Sequence, residues 1–183
     1  MEQKMVTLKI NDIPVTVPEG TTVLEAARNA GIKIPSLCFL KGVNEIGACR
    51  ICVVEVKGAK SLVASCVYPV SEGMEVYTNT EKVRASRRLT LELILSNHRM
   101  ECLTCARNGN CELRQLASDF NIDAVRYAND KLLPRIEDSA LHLVRDNSKC
   151  VLCRRCIAAC RKYQEVGVIG ANDRGFDTHI GCA

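Results

Sequence analysis

Tryptophan is absent from the 183-residue sequence, and aromatic residues together make up only 4% of it. Large aromatic side chains dominate many hydrophobic cores, so we expect no extensive aromatic core here. The apolar fraction of 47% is nonetheless typical of a folded protein. A chain of this length holds one compact domain or two to three small ones, and we favour several small modules that something besides a large core holds together.

Targeting segments are also missing. The N-terminal stretch from Met1 to Leu8 has no long apolar region of the kind found in secretory signal peptides. No apolar run approaches the roughly 18 residues that a membrane span needs. We therefore expect a cytoplasmic protein without direct membrane insertion. The net charge of +4 counts every cysteine as neutral, and thiolates would reduce it, so it gives no indication of nucleic-acid binding.

Cysteine, by contrast, is abundant, with 12 residues in the chain. In a reducing cytosol such a number indicates metal ligation rather than a disulfide framework. The cysteines fall in three groups with unequal spacings, and Cys182 is left over without an assigned role. His142 and His179 have no ligand-rich neighbours in sequence, so we interpret them as ordinary surface or packing residues.

The first group is Cys38-x10-Cys49-x2-Cys52-x13-Cys66. A plant-type [2Fe-2S] ferredoxin has a tight pair of cysteines and a remote fourth ligand, and this chain shares that pattern with a longer first gap. Gly47 and Ala48 favour the cluster interpretation, because a loop around a cluster must bring backbone N–H groups close to the sulfur atoms. The alternative is structural zinc, which usually shows two compact ligand pairs, whereas this group has a single CxxC.

The second group is His98-x3-Cys102-x2-Cys105-x5-Cys111. One imidazole and three thiols are enough to close the coordination sphere of a [4Fe-4S] cluster. An isolated histidine at this place would be interpreted as a surface residue at the C-terminal end of a helix. The three cysteines downstream favour ligation instead, since the group has only three protein ligands without His98.

The third group is Cys150-x2-Cys153-x2-Cys156-x3-Cys160, the spacing of the bacterial ferredoxin run that holds a [4Fe-4S] cluster. Arg161 stands where that run usually has proline. In two-cluster ferredoxins the fourth cysteine ligates the other cluster, but a matching second run is missing from this sequence, so the segment looks incomplete. Cys160 therefore either completes a local cluster or donates to a neighbouring one.

The hydrophobic pattern before the second group predicts a β-grasp, ferredoxin-like domain over residues 1–78. Residues 5 to 17 alternate between apolar and polar side chains, as in a β-hairpin. A helix capped by Thr21 or Thr22 is predicted to continue through Asn29. Further strands are predicted over residues 51–56 and 75–78.

A small helical domain is predicted over residues 79–120. A helical pattern from Glu81 to Asn97 places His98 at its C-terminal end, and a second short helix is predicted from about Cys111 to Phe120. We expect the arginines of the first helix to be solvated: Arg84, Arg87 and Arg88. The rest of the α+β protein would be an irregular linker over residues 121–139 and the [4Fe-4S] ferredoxin-type segment over residues 140–183.

In this order the three groups closely resemble the iron–sulfur N-terminal region of the large subunit of NAD(P)-linked [FeFe]-hydrogenases. The resemblance covers essentially the whole chain. Similar modules occur in the large subunit of complex I, the α-subunit of NAD-linked formate dehydrogenases and the small diaphorase subunit of NAD-reducing nickel–iron hydrogenases. The segments that carry the resemblance are Gly47 to Cys52, Asn97 to Leu113, Val144 to Cys150 and, most like the hydrogenase branch, Arg174 to Thr178.

The resemblance implies one [2Fe-2S] cluster and two [4Fe-4S] clusters. It also implies three partners: a flavin-containing NAD(P)H-oxidising subunit, a further iron–sulfur subunit, and a catalytic hydrogenase or dehydrogenase unit. The sequence carries no hydrogen-activating or molybdenum domain and no GxGxxG fingerprint for a flavin or nicotinamide. We therefore predict the electron-carrying part of an oxidoreductase, without a catalytic site of its own. The alternative from another class is a zinc-binding interaction scaffold.

Overall fold

The computed structural model describes residues 4–127 and 135–182. The chain divides into two compact units. The first comprises Met1–Lys41 and Glu45–Leu89, and the second comprises Gly42–Asn44 and Thr90–Ala183. The mixed α and β composition expected from the sequence is confirmed.

The first unit contains a five-stranded sheet in the order β2-β1-β5-β3-β4. Strand β1 pairs antiparallel with β2 and parallel with β5, and β3 pairs antiparallel with both β5 and β4. Its elements are β1 (Met5–Ile10), β2 (Ile13–Pro18), α1 (Val23–Asn29), β3 (Val53–Val56), β4 (Val63–Ala64) and β5 (Glu75–Tyr77).

The predicted hairpin of strands β1 and β2 is confirmed, with Ile10 paired to Ile13 across the turn. The two turn residues, Asn11 and Asp12, both have positive φ, at 49° and 66°. A two-residue hairpin turn that matches the strand twist requires such angles, and Asn and Asp tolerate them better than most residues. Alternate side chains of β1 are buried in the core: Val6, Leu8 and Ile10.

Helix α1 begins after Thr22, whose side chain accepts a hydrogen bond from the backbone N–H of Glu25 at 3.3 Å. Thr22 is thus the cap among the two predicted candidates. The buried face of the helix packs into the hydrophobic core with the inward side chains of the sheet. Cys52 and Cys66 belong to the same core, so this packing fixes the position of two predicted ligands.

Helix α2 (Glu81–Ser96) carries the chain from the first unit into the second. The other regular elements of the second unit are α3 (Glu112–Asp119), β6 (Ile136–Ala140), β7 (Leu143–Asp146), α4 (Arg155–Lys162), β8 (Ile169–Asn172) and β9 (His179–Cys182). Strands β6 and β7 form one antiparallel pair, and β8 and β9 form another. In the described ranges, no helix is both long and apolar enough to cross a membrane.

The end of the predicted linker is not irregular. Residues from Ile136 onward form strand β6, which pairs with β7, while residues 128–134 lie outside the described part of the chain. The sequence of β6 contains a single large apolar residue, Ile136, and that residue is exposed. No alternating hydrophobic pattern therefore signals this strand, which forms through pairing with its neighbour.

Candidate metal centres

The structure brings the four cysteines of the first group together in the first unit, and all four are buried: Cys38, Cys49, Cys52 and Cys66. The Sγ atoms of Cys52 and Cys66 are 3.3 Å apart. The thiols of Cys49 and Cys66 also donate hydrogen bonds to the sulfur of Cys38. A group of ligands that is spread widely over the sequence thus forms one sulfur cluster in space.

Backbone N–H groups surround these sulfur atoms, as the cluster interpretation expects. The Cys38 sulfur accepts hydrogen bonds from the backbone of Cys49, at 3.4 Å, and of Ala48. Further backbone donors are Ile51 and Leu37 to the sulfur of Cys49, and Cys66 to the sulfur of Cys52. Such donors stabilise thiolates and raise the reduction potential of a bound cluster.

The loop before the CxxC pair needs glycine at one position. Gly47 has a φ of +63°, in the left-handed region that a side chain disfavours. A Cβ atom on Gly47 would also lie 3.3 Å from Cγ2 of Val67, which is closer than ordinary contact. Arg50, inside the CxxC pair, has a φ of +56°. These turns direct N–H groups toward the sulfurs, as in other anion-binding loops.

Shared hydrogen bonds separate the pKa values of the four thiols. Donation from Cys49 and Cys66 lowers the pKa of Cys38, and the hydrogen bond between the Cys52 and Cys66 sulfurs lowers the pKa of Cys52 to about 6. The donors, Cys49 and Cys66, have raised pKa values because they hold the shared protons and are also buried. Metal binding needs thiolates, so it would displace these protons. The donor set, soft and buried, fits an iron–sulfur cluster.

One pocket of the second unit is lined by all four predicted ligands of the second group: His98, Cys102, Cys105 and Cys111. The pocket is open to solvent and has a volume of about 290 Å³. His98 follows the end of α2, and a 3₁₀ turn (Cys102–Thr104) carries the first cysteine. Cys111 is the N-cap of α3, with its Sγ accepting from the backbone N–H of Arg114 at 3.4 Å. The backbone N–H of Arg107 donates to Cys105 Sγ at 3.5 Å.

The His98 imidazole has the properties of a metal ligand. Burial and the nearby positive charge of Lys149 lower its pKa, so the neutral form that binds metals is favoured. Its Nδ1 atom is buried and has no hydrogen-bond partner in the described chain. A nitrogen that binds a metal needs no other partner, so this orphaned atom fits ligation.

In the third group, two cysteines, Cys153 and Cys156, act on a third, Cys150. Burial raises the pKa of Cys150, and the charges of Cys153 and Cys156 raise it further. The backbone N–H of Leu152 donates to Cys150 Sγ at 3.4 Å. Leu152 and Arg154 both have positive φ, at 53° and 61°, so the chain turns between successive cysteines and exposes its N–H groups to the sulfurs.

Cys160 has different neighbours from those of the other three cysteines. It lies on α4 and is buried. Its sulfur accepts backbone N–H groups of Ile169, Val168 and Gly167, which lower its pKa. Cys182, on β9, is exposed. Among residues 4–127 and 135–182, no three or more His, Cys, Asp or Glu side chains converge on a position for a single metal ion, whereas the ligands of an iron–sulfur cluster bind different iron atoms.

The sequence interpretation was wrong about Arg87. Arg84 and Arg88 are exposed as expected, but Arg87 is buried and donates from Nη2 to the carbonyl oxygen of Val53 at 2.8 Å. The helical period indicates that Arg87 is buried, because it lies four residues from both Val83 and Leu91, which are buried. Val53 directly follows Cys52, so the arginine lies beside the first sulfur cluster.

Two protein families match separate parts of the chain. Residues 3–81 match the family described as a 2Fe-2S iron-sulfur cluster binding domain. Residues 87–126 match the family described as the NADH-ubiquinone oxidoreductase-G iron-sulfur binding region. The first match contains the whole first group, and the second contains the whole second group.

Curated relatives match nearly the full chain. The NADP-reducing hydrogenase subunit HndD of Solidesulfovibrio fructosivorans is 41% identical over 94% of this chain and 30% of its own length. The NADH-ubiquinone oxidoreductase 75 kDa subunit of Reclinomonas americana is 34% identical over 96% of this chain and 26% of its own length. The chain thus spans less than a third of these relatives.

A solved structure is also similar to this chain. It is the crystal structure of NAD+-reducing [NiFe]-hydrogenase in the H2-reduced state, with a TM-score of 0.88 and 30% sequence identity. The alignment covers 97% of this chain and 74% of the matched chain.

Proposed function

We propose that this chain, which belongs to the iron–sulfur family shared by NAD(P)-linked hydrogenases and the large subunit of complex I, carries single electrons between an NAD(P)H-oxidising flavoprotein and a catalytic unit. The observation that carries the proposal is the first sulfur cluster, in which four buried thiols lie together and at least four backbone N–H groups donate to their sulfur atoms. A bound iron–sulfur cluster accepts and donates one electron at a time. The chain supplies the ligands, the N–H donors and a buried site that excludes water.

Three clusters are proposed. Their ligands are Cys38, Cys49, Cys52 and Cys66 for a [2Fe-2S] cluster; His98, Cys102, Cys105 and Cys111 for a [4Fe-4S] cluster; and Cys150, Cys153 and Cys156, with Cys160 locally or as donor to a neighbouring cluster, for a second [4Fe-4S] cluster. The shared pocket of the second group supports its assignment. The N–H donors from residues 167–169 support a separate role for Cys160.

The first unit would be a β-grasp ferredoxin-like domain. The packing of α1 on a mixed sheet, with the parallel pair β1 and β5 at its centre, supports this assignment. The finer division of the chain at residues 78, 120 and 139 remains a prediction from the sequence.

The parent enzyme would be an [FeFe]-hydrogenase. The 41% identity to an NADP-reducing hydrogenase subunit and the segment Arg174 to Thr178 support this choice. The alternative is the equivalent module of a formate dehydrogenase, complex I or an NAD-reducing nickel–iron hydrogenase. Among these alternatives, the similarity to the solved nickel–iron hydrogenase structure favours the nickel–iron enzyme. In either parent the partners would be a flavin-containing subunit, a further iron–sulfur subunit and the catalytic unit, in the cytoplasm.

An electron-transfer assay tests this proposal. The reconstituted chain is mixed anaerobically with NADH, with and without the purified flavoprotein subunit of an NAD(P)-linked hydrogenase. We expect the visible absorption of the clusters to bleach only when the flavoprotein is present, because the sequence has no GxGxxG fingerprint for a nicotinamide. The flavoprotein alone, with NADH, corrects for flavin absorption. Bleaching by NADH alone, or none with the flavoprotein under conditions where dithionite bleaches the chain, would contradict the proposal.

A further inference from the structure

A positive charge is buried in the first unit, and no carboxylate of the described residues pairs with it. Arg87 is 4% exposed, and its one hydrogen bond to a described residue is the 2.8 Å contact from Nη2 to the Val53 carbonyl. Its Nε atom is also buried, with no hydrogen-bond partner among residues 4–127 and 135–182. An arginine in this state is unusual, because burial of a cation is costly unless an anion and hydrogen bonds compensate it.

The Cys52 sulfur supplies a negative charge that acts on this guanidinium. Burial lowers the pKa of Arg87 to about 10, and the Cys52 thiolate acts on it in the opposite direction. In the described chain no carboxylate forms an ion pair with this guanidinium, which stays protonated at neutral pH. The hydrogen bond to Val53 holds the guanidinium at the residue that follows Cys52.

We propose that Arg87 is the counter-charge of the [2Fe-2S] cluster held by Cys38, Cys49, Cys52 and Cys66, and that it raises the reduction potential of this cluster. This inference rests on the proposed cluster. Reduction adds one electron, delivered by the flavoprotein partner, and no bond forms or breaks. A fixed positive charge in a buried site stabilises the more negative, reduced form more than the oxidised form.

The next residue supplies a matched control. Arg88 lies on the same helix with the same side chain, but it is exposed. Solvent screens an exposed charge, so its influence on the cluster should be small. A comparison of positions 87 and 88 therefore separates the buried charge from helix propensity and from the net charge of the protein.

The experiment is a potentiometric titration, followed by electron paramagnetic resonance, of the reconstituted full chain and three variants. Arg87→Gln keeps N–H donors for Val53 but removes the charge, Arg87→Lys keeps charge and donors, and Arg88→Gln removes the exposed charge. We expect Arg87→Gln to shift the [2Fe-2S] equilibrium about tenfold or more toward the oxidised form, which for one electron is about 59 mV lower in potential. The midpoint potential of Arg87→Lys should stay near that of the unsubstituted chain, and the midpoint potential of Arg88→Gln should equal it.

Other outcomes of this titration also support or overturn the proposed role of Arg87. Loss of the [2Fe-2S] signal in Arg87→Gln alone, with Arg87→Lys intact, would support the proposal, because the charge would then be needed to hold the cluster. Equal potentials in Arg87→Gln and the unsubstituted chain would overturn it. Loss of the signal in both position-87 variants would overturn it too, because it would assign Arg87 a packing role independent of charge. Absence of a [2Fe-2S] signal in the unsubstituted chain would instead contradict the proposed function.

Discussion

One imidazole among three thiols distinguishes the middle site from the other two. A neutral imidazole brings no negative charge to a cluster, so reduction is less unfavourable than with four thiolates, and the potential is higher. The burial of His98 and the positive charge of Lys149 keep the ring in this neutral form. We therefore expect His98 to affect electron flow as well as cluster binding.

Two substitutions at His98 test this role. We expect His98→Cys to retain the middle cluster with a lower midpoint potential, and His98→Ala to lose the cluster or leave one iron open to solvent. The measurement is a potentiometric titration followed by electron paramagnetic resonance. His142→Ala is the control, because that histidine is exposed. An unchanged signal and midpoint in His98→Ala would make His98 only a histidine at the end of a helix.

Gly47 is predicted to matter more than other glycines in the left-handed region. Gly73→Ala, at a φ of +69° with open space around the added Cβ, should cost about 1–2 kcal/mol of folding stability. Gly47→Ala carries the same backbone cost plus the close approach to Val67, so it should cost about 1–3 kcal/mol more and lower the [2Fe-2S] content. Thermal denaturation and iron analysis of both variants check this. Equal losses would show that the Val67 contact is relieved without cost.

At the scale of elements, helix α2 shows what sequence patterns reveal and what they miss. Its predicted range, Glu81 to Asn97, differs from the observed Glu81–Ser96 by one residue, because the 3.6-residue period is strong there. The burial of Arg87 was missed because charged side chains are rarely buried, and that rule overrode its place between Val83 and Leu91. The exception occurs beside the sulfur cluster of the first unit, where the side chain donates to the Val53 carbonyl.

The strands of the second unit show another limit of prediction from sequence patterns. None of the strands β6, β7, β8 and β9 was predicted, and each is a short segment of four or five residues. Pairing with a neighbour, rather than a hydrophobic pattern, determines them. The hairpin of β1 and β2 was predictable because its alternate residues are buried in the core.

Helix α4 carries both Cys156 and Cys160, and we expect them to differ in function. Cys156 acts on the pKa of Cys150, whereas the Cys160 sulfur accepts N–H groups from residues 167–169. Cys156→Ser should therefore abolish the third cluster, and Cys160→Ser should lower its content far less. Iron analysis and low-temperature electron paramagnetic resonance make the comparison. Equal, selective losses in both variants would instead assign Cys160 as the fourth local ligand.

For the whole molecule, the ligand groups were predictable because each is compact in sequence or has a spacing that a known cluster type uses. The structure brings the first four thiols together and places the second four side chains along one pocket. The fourth ligand of the last cluster was not predictable, because two arrangements share the same local spacing. The number of clusters is consequently the central claim to measure.

The most direct measurement is the metal and sulfide content of the anaerobically reconstituted chain, together with electron paramagnetic resonance after reduction. About ten irons per chain are predicted if all three clusters form, or about six if the third site stays empty, with matching acid-labile sulfide. The reduced protein should show a [2Fe-2S] signal and at least one [4Fe-4S] signal. Iron near zero with stoichiometric zinc would contradict the account and identify a zinc scaffold instead.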